Sequence, residues 1–216
     1  MDNSYRKPNL FIVGEPRSGT TTLYNYLKSH SQIFFPEPKE PTHFATYHFK
    51  EQIEIQKKSL NIIKSKVPKY YHKKDYLDLY KNREEKYLGD ASTKYLYSKD
   101  AAKRIYKFNP QAKIIALFRE PVDFLQSYHS RQLFILNENE KNLIKALSLE
   151  KFRKDGKNLP KLVKAPSSLL YTKRLQYSKH IQRFLESFPS NQIKVIIFED
   201  FKRNNMKALS EIYNFL

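Results

Sequence analysis

Two glycines five residues apart, Gly14 and Gly19, separate an apolar β-favouring run, N-L-F-I-V at 9–13, from a helix-favouring one that starts at Thr20. The chain of 216 residues has four glycines in all, far below the roughly 7% of average composition. Glycine spared elsewhere and spent twice in one loop points to a positive φ or a close backbone approach there. The segment reads as strand, loop and helix. Leu23, Tyr26 and Leu27 give the helix an i, i+3, i+4 apolar face, and Lys28 and His30 stand in its last turn, where the helix dipole favours cations.

Two later runs, K-I-I-A-L-F at 113–118 and I-K-V-I-I-F at 193–198, are apolar without alternation. That is the pattern of parallel strands covered on both faces. Helical patterns fall around them. Ser98 to Phe108 places Ala101, Ala102, Ile105 and Phe108 on one face, and Ser167 to Phe188 places Leu170, Leu175, Ile181, Phe184, Leu185 and Phe188 on another. The alternation predicts an α/β fold, a three-layer P-loop-like architecture with a central parallel sheet flanked by helices and right-handed crossovers. Length and a 40% apolar content suit a single domain over residues 1–216. The lysine-rich stretches 50–74 and 151–164 lack a clean apolar period and are expected to be exposed helices or mobile lids.

Composition narrows the function classes. With no cysteine there are no disulfides, thiol nucleophiles or thiolate metal sites, which suits a reducing compartment. The six histidines form no metal-binding pair, and no metal is expected. No apolar run approaches membrane-spanning length, and the start M-D-N-S-Y-R-K-P lacks the apolar stretch of a signal peptide, so a soluble, cytoplasmic protein is expected. Lys and Arg number 40 against 22 Asp and Glu, a net charge of +18, with 16 Tyr and 15 Phe. Such a balance offers a nucleic-acid-binding module as one reading. The charge is spread along the chain without a recognised motif, however, and equally suits a phosphorylated nucleotide and an anionic acceptor, so no nucleic acid is expected.

Residues 14–21, G-E-P-R-S-G-T-T, have the G-x-x-x-x-G spacing of a phosphate-binding loop between strand and helix, where backbone N–H groups converge on an anion. The lysine that follows in nucleoside triphosphatases is absent. Thr20 takes its place, Thr21 keeps the hydroxyl position, and Arg17 puts a cation inside the loop. A P-loop kinase or nucleotidase, with Phe198-Glu199-Asp200 as an acidic strand end, is the alternative that Thr20 argues against. A transferred sulfuryl group develops less charge than several phosphates do, and one guanidinium with a few N–H donors suffices for it.

Pro16 to Leu23, P-R-S-G-T-T-T-L, resembles the 5'-phosphosulfate loop of sulfotransferases that use 3'-phosphoadenosine 5'-phosphosulfate (PAPS). Arg119, Pro121 and Ser127 reproduce that family's second nucleotide signature, an Arg at a strand end and a Ser eight residues on. Pro36 to Phe44, P-E-P-K-E-P-T-H-F, is similar to the K-E-x-H-F stretch of carbohydrate and bacterial members, and Tyr87 to Tyr97 to their G-E-x-S-x-x-Y-L element, with Asp90 in the acidic position. The resemblance implies PAPS as sulfuryl donor, without a metal. Arg17, Ser18, Gly19, Thr20, Thr21 and Thr22 would hold its 5' end, with Arg119 and Ser127 on its 3'-phosphate. Arg17, Glu40 and His43 would be catalytic, Glu40 as base and His43 assisting. The acceptor would be a hydroxyl, less readily an amine, on a small molecule, glycan or lipid. Three departures stand out. Phe124 replaces an Arg common in relatives, and Ala91 replaces a Lys. In the family more chain also follows the segment ending at 216, including a basic loop over the 3'-phosphate.

Overall fold

The computed structural model describes residues 5–37, 39–58 and 69–216. Its centre is a parallel sheet of β1 (Leu10–Gly14), β2 (Ile33–Phe34), β3 (Tyr87–Ala91), β4 (Lys113–Phe118) and β5 (Ile193–Ile197), in the order β2-β3-β1-β4-β5. Phe11 pairs with both Asp90 and Ile114, and Phe118 with Ile197. The strand order reverses at β1, so the β1 and β4 ends open a crevice, the place where open α/β sheets bind ligands.

The helices on the two faces explain why the central strands read as uninterrupted apolar runs. In chain order they are α1 (Thr20–Lys28), α2 (Thr46–Lys57), α3 (Lys73–Asp78), α4 (Lys94–Tyr97), α5 (Ala101–Phe108), α6 (Pro121–Phe134), α7 (Leu143–Ser148), α8 (Glu150–Arg153), α9 (Tyr171–Arg174), α10 (Tyr177–Leu185), α11 (Phe198–Arg203) and α12 (Asn205–Phe215). Phe11, Val13, Ile114 and Ala116 meet Tyr76, Leu96, Ile105 and Phe184 on one face. Leu10, Ile12, Ile115 and Leu117 meet Leu23, Leu27, Leu209 and Ile212 on the other. Successive strand residues point to opposite faces, so both parities are apolar where both faces are covered. A third cluster packs α6 through Phe124 and Tyr128 onto Leu169 and Tyr171. No described helix is long and apolar enough to cross a membrane.

Several local expectations are corrected. On α1 the buried aromatic is Tyr24, at 5% exposure, and Tyr26 is 36% exposed. The strand at 193–198 is an edge: among the described residues no strand pairs with β5 beyond β4, and Val195 and Ile197 are exposed while Ile193, on the same face, packs on the core. The single helix expected from Ser167 to Phe188 is a 3₁₀ turn (Pro166–Leu169), then α9, then α10. Leu169, Leu170 and Tyr171 are consecutive and all buried, which one face of a continuous helix cannot provide.

The lysine-rich stretches are also more anchored than their composition suggests. Within 50–74, α2 buries Glu51, Gln52, Ile55 and Gln56, and α3 buries Tyr76 just beyond; residues 59–68 lie outside the described residues. Within 151–164, Arg153 is fully buried and bonds Glu138 through both terminal nitrogens, at 2.6 and 2.7 Å. Tyr171 adds its hydroxyl to the same carboxylate at 2.9 Å.

Candidate active site

The loop between β1 and α1 owes its shape to its two glycines. A Cβ on Gly14 would lie 2.8 Å from the Leu117 carbonyl oxygen on β4. Gly19 has a φ of +80°, and a Cβ there would lie 2.7 Å from the Phe198 ring. Gly19 is the N-cap of α1, and no side chain caps it. The first-turn N–H groups of a helix have no partner within the helix, so those of Thr20, Thr21 and Thr22 are free for an anion, with the positive end of the helix dipole behind them.

The loop is clamped from below. Glu15 is fully buried; its Oε2 accepts from Arg174 at 3.1 Å and its Oε1 lies 3.4 Å from His180 Nδ1. The Arg174 guanidinium lies between the rings of Tyr97 and Tyr128, at 4.6 and 5.0 Å. Buried charge is tolerated only when paired in this way. Arg174 is the last residue of α9, at the break before α10.

The two signatures meet. Arg119 leaves the end of β4, and its Nη1 donates to the main-chain carbonyl of Arg17 at 3.1 Å. Arg17, itself at a φ of 69°, donates from Nε to Ser127 Oγ at 3.0 Å. Helix α6 follows Arg119 directly because Pro121 sits in its first turn and Glu120 caps it, accepting from the Asp123 N–H at 2.8 Å. Phe198 supports both halves, with its ring under the Arg119 guanidinium at 4.9 Å and against Gly19. Glu199 lies 4.0 Å from Arg119 and accepts from the Glu120 N–H at 3.2 Å, bracing the strand end.

Arg17, Gly19, Thr20, Thr21, Thr22 and Arg119 line one cleft of about 530 Å³, and Glu40 stands in it with them. Glu40 has a φ of 64°, and its Oε2 accepts from Thr93 Oγ1 at 3.1 Å. The loop that carries Glu40 is fixed through Thr42, whose N–H donates to Ser92 Oγ at 3.1 Å; Ser92 in turn donates to Asp90 at 2.6 Å. Asp90 is fully buried and also accepts from Tyr76 and Tyr95 at 2.8 and 2.7 Å. Burial pushes its carboxyl up to about 6 against those hydroxyl donors, and the Glu40 charge adds to the rise.

Ser18 is buried beneath the loop and Ser127 stands behind Arg17. His43 is not brought into the cleft. Its ring is buried, bonded through Nδ1 to the Tyr70 carbonyl at 2.8 Å and stacked on Tyr76 at 4.4 Å, and it faces a different hollow. The stretch here is K-E-P-T-H-F, with two residues between Glu40 and His43, and His43 beside Phe44 packs into the aromatic core. The structure also adds Thr93 and Arg131, which the motifs did not name and which line the cleft, and it places the motif's Lys39 so that it donates to Thr21 Oγ1 at 3.0 Å. Arg131 was accessible to helical spacing, since it lies one turn beyond Ser127 on α6. Of the departures, Phe124 is wholly buried and stacked on Tyr128, and Ala91 is buried against α1, so neither faces the cleft. Lys94, half-buried over the Phe49 ring, feels the charge of Glu40, although burial holds its ammonium below the usual lysine range.

The sequence profile of the sulfotransferase family matches residues 8–216. The chain belongs to the sulfotransferase family. A sulfotransferase from Alicyclobacillus acidocaldarius has the same fold, with a TM-score of 0.79 and 25% identity over 97% of this chain and 81% of that one. A mouse sulfotransferase solved with PAP shares the fold at a TM-score of 0.55 and 16% identity, over 98% of this chain and 58% of that one. Human bifunctional heparan sulfate N-deacetylase/N-sulfotransferase 3 is 25% identical over 211 residues. That match takes in 98% of this chain but 22% of the human protein, so this sulfotransferase spans about a fifth of the length of such curated relatives. The cleft fits a bisphosphorylated nucleotide on its own terms. Among the described residues Ser18 Oγ and Arg119 Nε are buried without a hydrogen-bond partner, and no side chain caps the first turn of α1.

Proposed function

We propose that this cleft transfers a sulfuryl group from PAPS to a hydroxyl or amino group of a sugar. The observation that carries the reading is the contact of Arg119 with the Arg17 carbonyl, which joins two cationic signatures 102 residues apart into one site beside Glu40. When bound, PAPS supplies an activated sulfuryl group on a 5'-phosphate leaving group.

The N–H groups of Thr20, Thr21 and Thr22, the Ser18 hydroxyl and the Arg17 guanidinium hold the 5' end and stabilise charge on the departing phosphate oxygen. Arg119 and Ser127 take the 3'-phosphate, a charge-assisted contact that a guanidinium makes well. Glu40 is the base. With Oε2 engaged by Thr93, Oε1 has no hydrogen-bond partner among the described residues and receives the acceptor proton. Arg131, which lines the cleft one turn beyond Ser127, adds positive charge that suits an acceptor carrying negative charge of its own. A sugar acceptor follows from that charge and from the name of the human relative, which specifies heparan sulfate; the relative's N-sulfotransferase name is what keeps the amine open.

The test is calorimetric titration with adenosine 3',5'-bisphosphate without metal, set against ATP with magnesium, followed by turnover assays. The bisphosphate binds and ATP does not compete. Arg17→Ala and Glu40→Gln each lower turnover at least about tenfold with the fold intact. Full turnover in either variant removes that residue's role, and magnesium-dependent ATP turnover overturns the reading.

A further inference from the structure

The active cleft occupies one end of the sheet, where β1 and β4 finish. At the other end, just before those strands begin, Lys7, Lys73, Arg104 and Lys107 line a second hollow of about 470 Å³. The two concavities lie on either side of one loop, since Glu40 stands in the active cleft and His43 in the wall of this hollow. Among the described residues no carboxylate lines the hollow. Arg104 alone has an acidic neighbour, Asp100 at 3.9 Å, and is held by Thr46 Oγ1 at 2.5 Å. Among the described residues Lys7, Lys73 and Lys107 have no carboxylate partner.

The positive charge there is felt inside the protein. His43, in the wall, is pushed below the usual histidine range first by burial, and the charges of Arg104 and Lys73 push it the same way. Between the cations lie rings. The Lys7 ammonium sits over Phe108 at 5.3 Å, Arg104 over Phe44 at 5.8 Å, and Tyr71 is 44% exposed. Unneutralised cations beside flat apolar faces suit a ligand that alternates anionic substituents with C–H-rich rings.

We propose that this hollow is a second, non-catalytic site that binds a segment of acidic polysaccharide through its sulfate or carboxylate groups. The ligand class rests on the sugar acceptor proposed above; the site itself rests on the hollow, its cations and its rings. A polysaccharide held here is anchored close to the reacting sugar, which raises the local concentration of acceptor units at the cleft.

The experiment uses the full chain saturated with adenosine 3',5'-bisphosphate, titrated with a heparin-type octasaccharide and, separately, with a single-stranded oligonucleotide of equal charge. The variant K7A/K73A/K107A is compared with K141A/K154A/K157A, which removes the same charge from exposed positions elsewhere. We expect the first variant to bind the octasaccharide at least about tenfold more weakly and the second within about twofold of the parent. Bisphosphate affinity should be unchanged in both. Equal weakening in the two variants reduces the effect to net charge and overturns the site, as does undiminished binding by K7A/K73A/K107A. Tighter binding of the oligonucleotide than of the octasaccharide, lost in the same variant, overturns the polysaccharide and makes the ligand a nucleic acid. Sulfuryl turnover is measured in parallel, so that an inactive parent which still loses the octasaccharide on K7A/K73A/K107A counts against the catalytic reading alone.

Discussion

The Arg119 guanidinium donates to the main-chain carbonyl of Arg17 at 3.1 Å, so the residue assigned to the 3'-phosphate also sets the backbone of the loop assigned to the 5' end. Arg119→Ala should therefore weaken adenosine 3',5'-bisphosphate at least about tenfold and adenosine 5'-phosphate much less, since one charge-assisted contact is removed from the first ligand only. Titration calorimetry with both nucleotides measures the ratio. Equal losses would mean that Arg119 acts through the loop alone.

Gly19→Ala should cost about 1–3 kcal/mol, because a left-handed φ and a 2.7 Å approach to Phe198 act together. Thermal melting should show a drop of several degrees. Bisphosphate affinity should fall with it, and wild-type affinity in this variant would free the loop of its assigned task.

Asp90 gives the protein a pH-dependent stability term of known sign. Its carboxyl is pushed up to about 6 from 3.8 by burial, so between those values the folded state holds a proton that the unfolded chain has released. The group adds stability below about pH 4 and loses it as the pH rises through 6. Urea midpoints measured from pH 4 to 7.5 should show the parent losing stability relative to Asp90→Asn as pH rises. A difference that grows the other way would contradict the burial assigned to this side chain.

Arg153→Met leaves Glu138 buried without its cation and should cost about 3–5 kcal/mol. The double variant Arg153→Met/Glu138→Leu should recover part of that loss. Denaturant unfolding of the three proteins decides it: a double variant as unstable as the single would show that the pair is not the origin of the effect.

Where neighbours in sequence carry the structure, the chain was readable. The run 9–13, Gly14, Gly19 and the helix after them form a local unit, as do Arg119, Pro121 and α6, and motif spacing found both. What escaped depends on pairings across the chain. His43 packs on Tyr76, 33 residues away, and Arg153 reads as one more exposed cation until Glu138 is placed beside it. The break after α9 has no glycine, and proline lies only at 166; what accompanies it is the long-range contact of Arg174 with Glu15. The run at 193–198 has the same composition as a central strand, and only topology makes it an edge.

The buried link from Glu15 to Arg174 has a consequence for how the donor is met. A loop that owes its course to glycine is held stiff from beneath, so its conformational entropy is surrendered when the chain folds. The nucleotide then enters a preorganised receptor and its affinity bears little penalty for induced ordering. Cutting the link would turn a rigid cradle into a strap that has to condense around each arriving ligand.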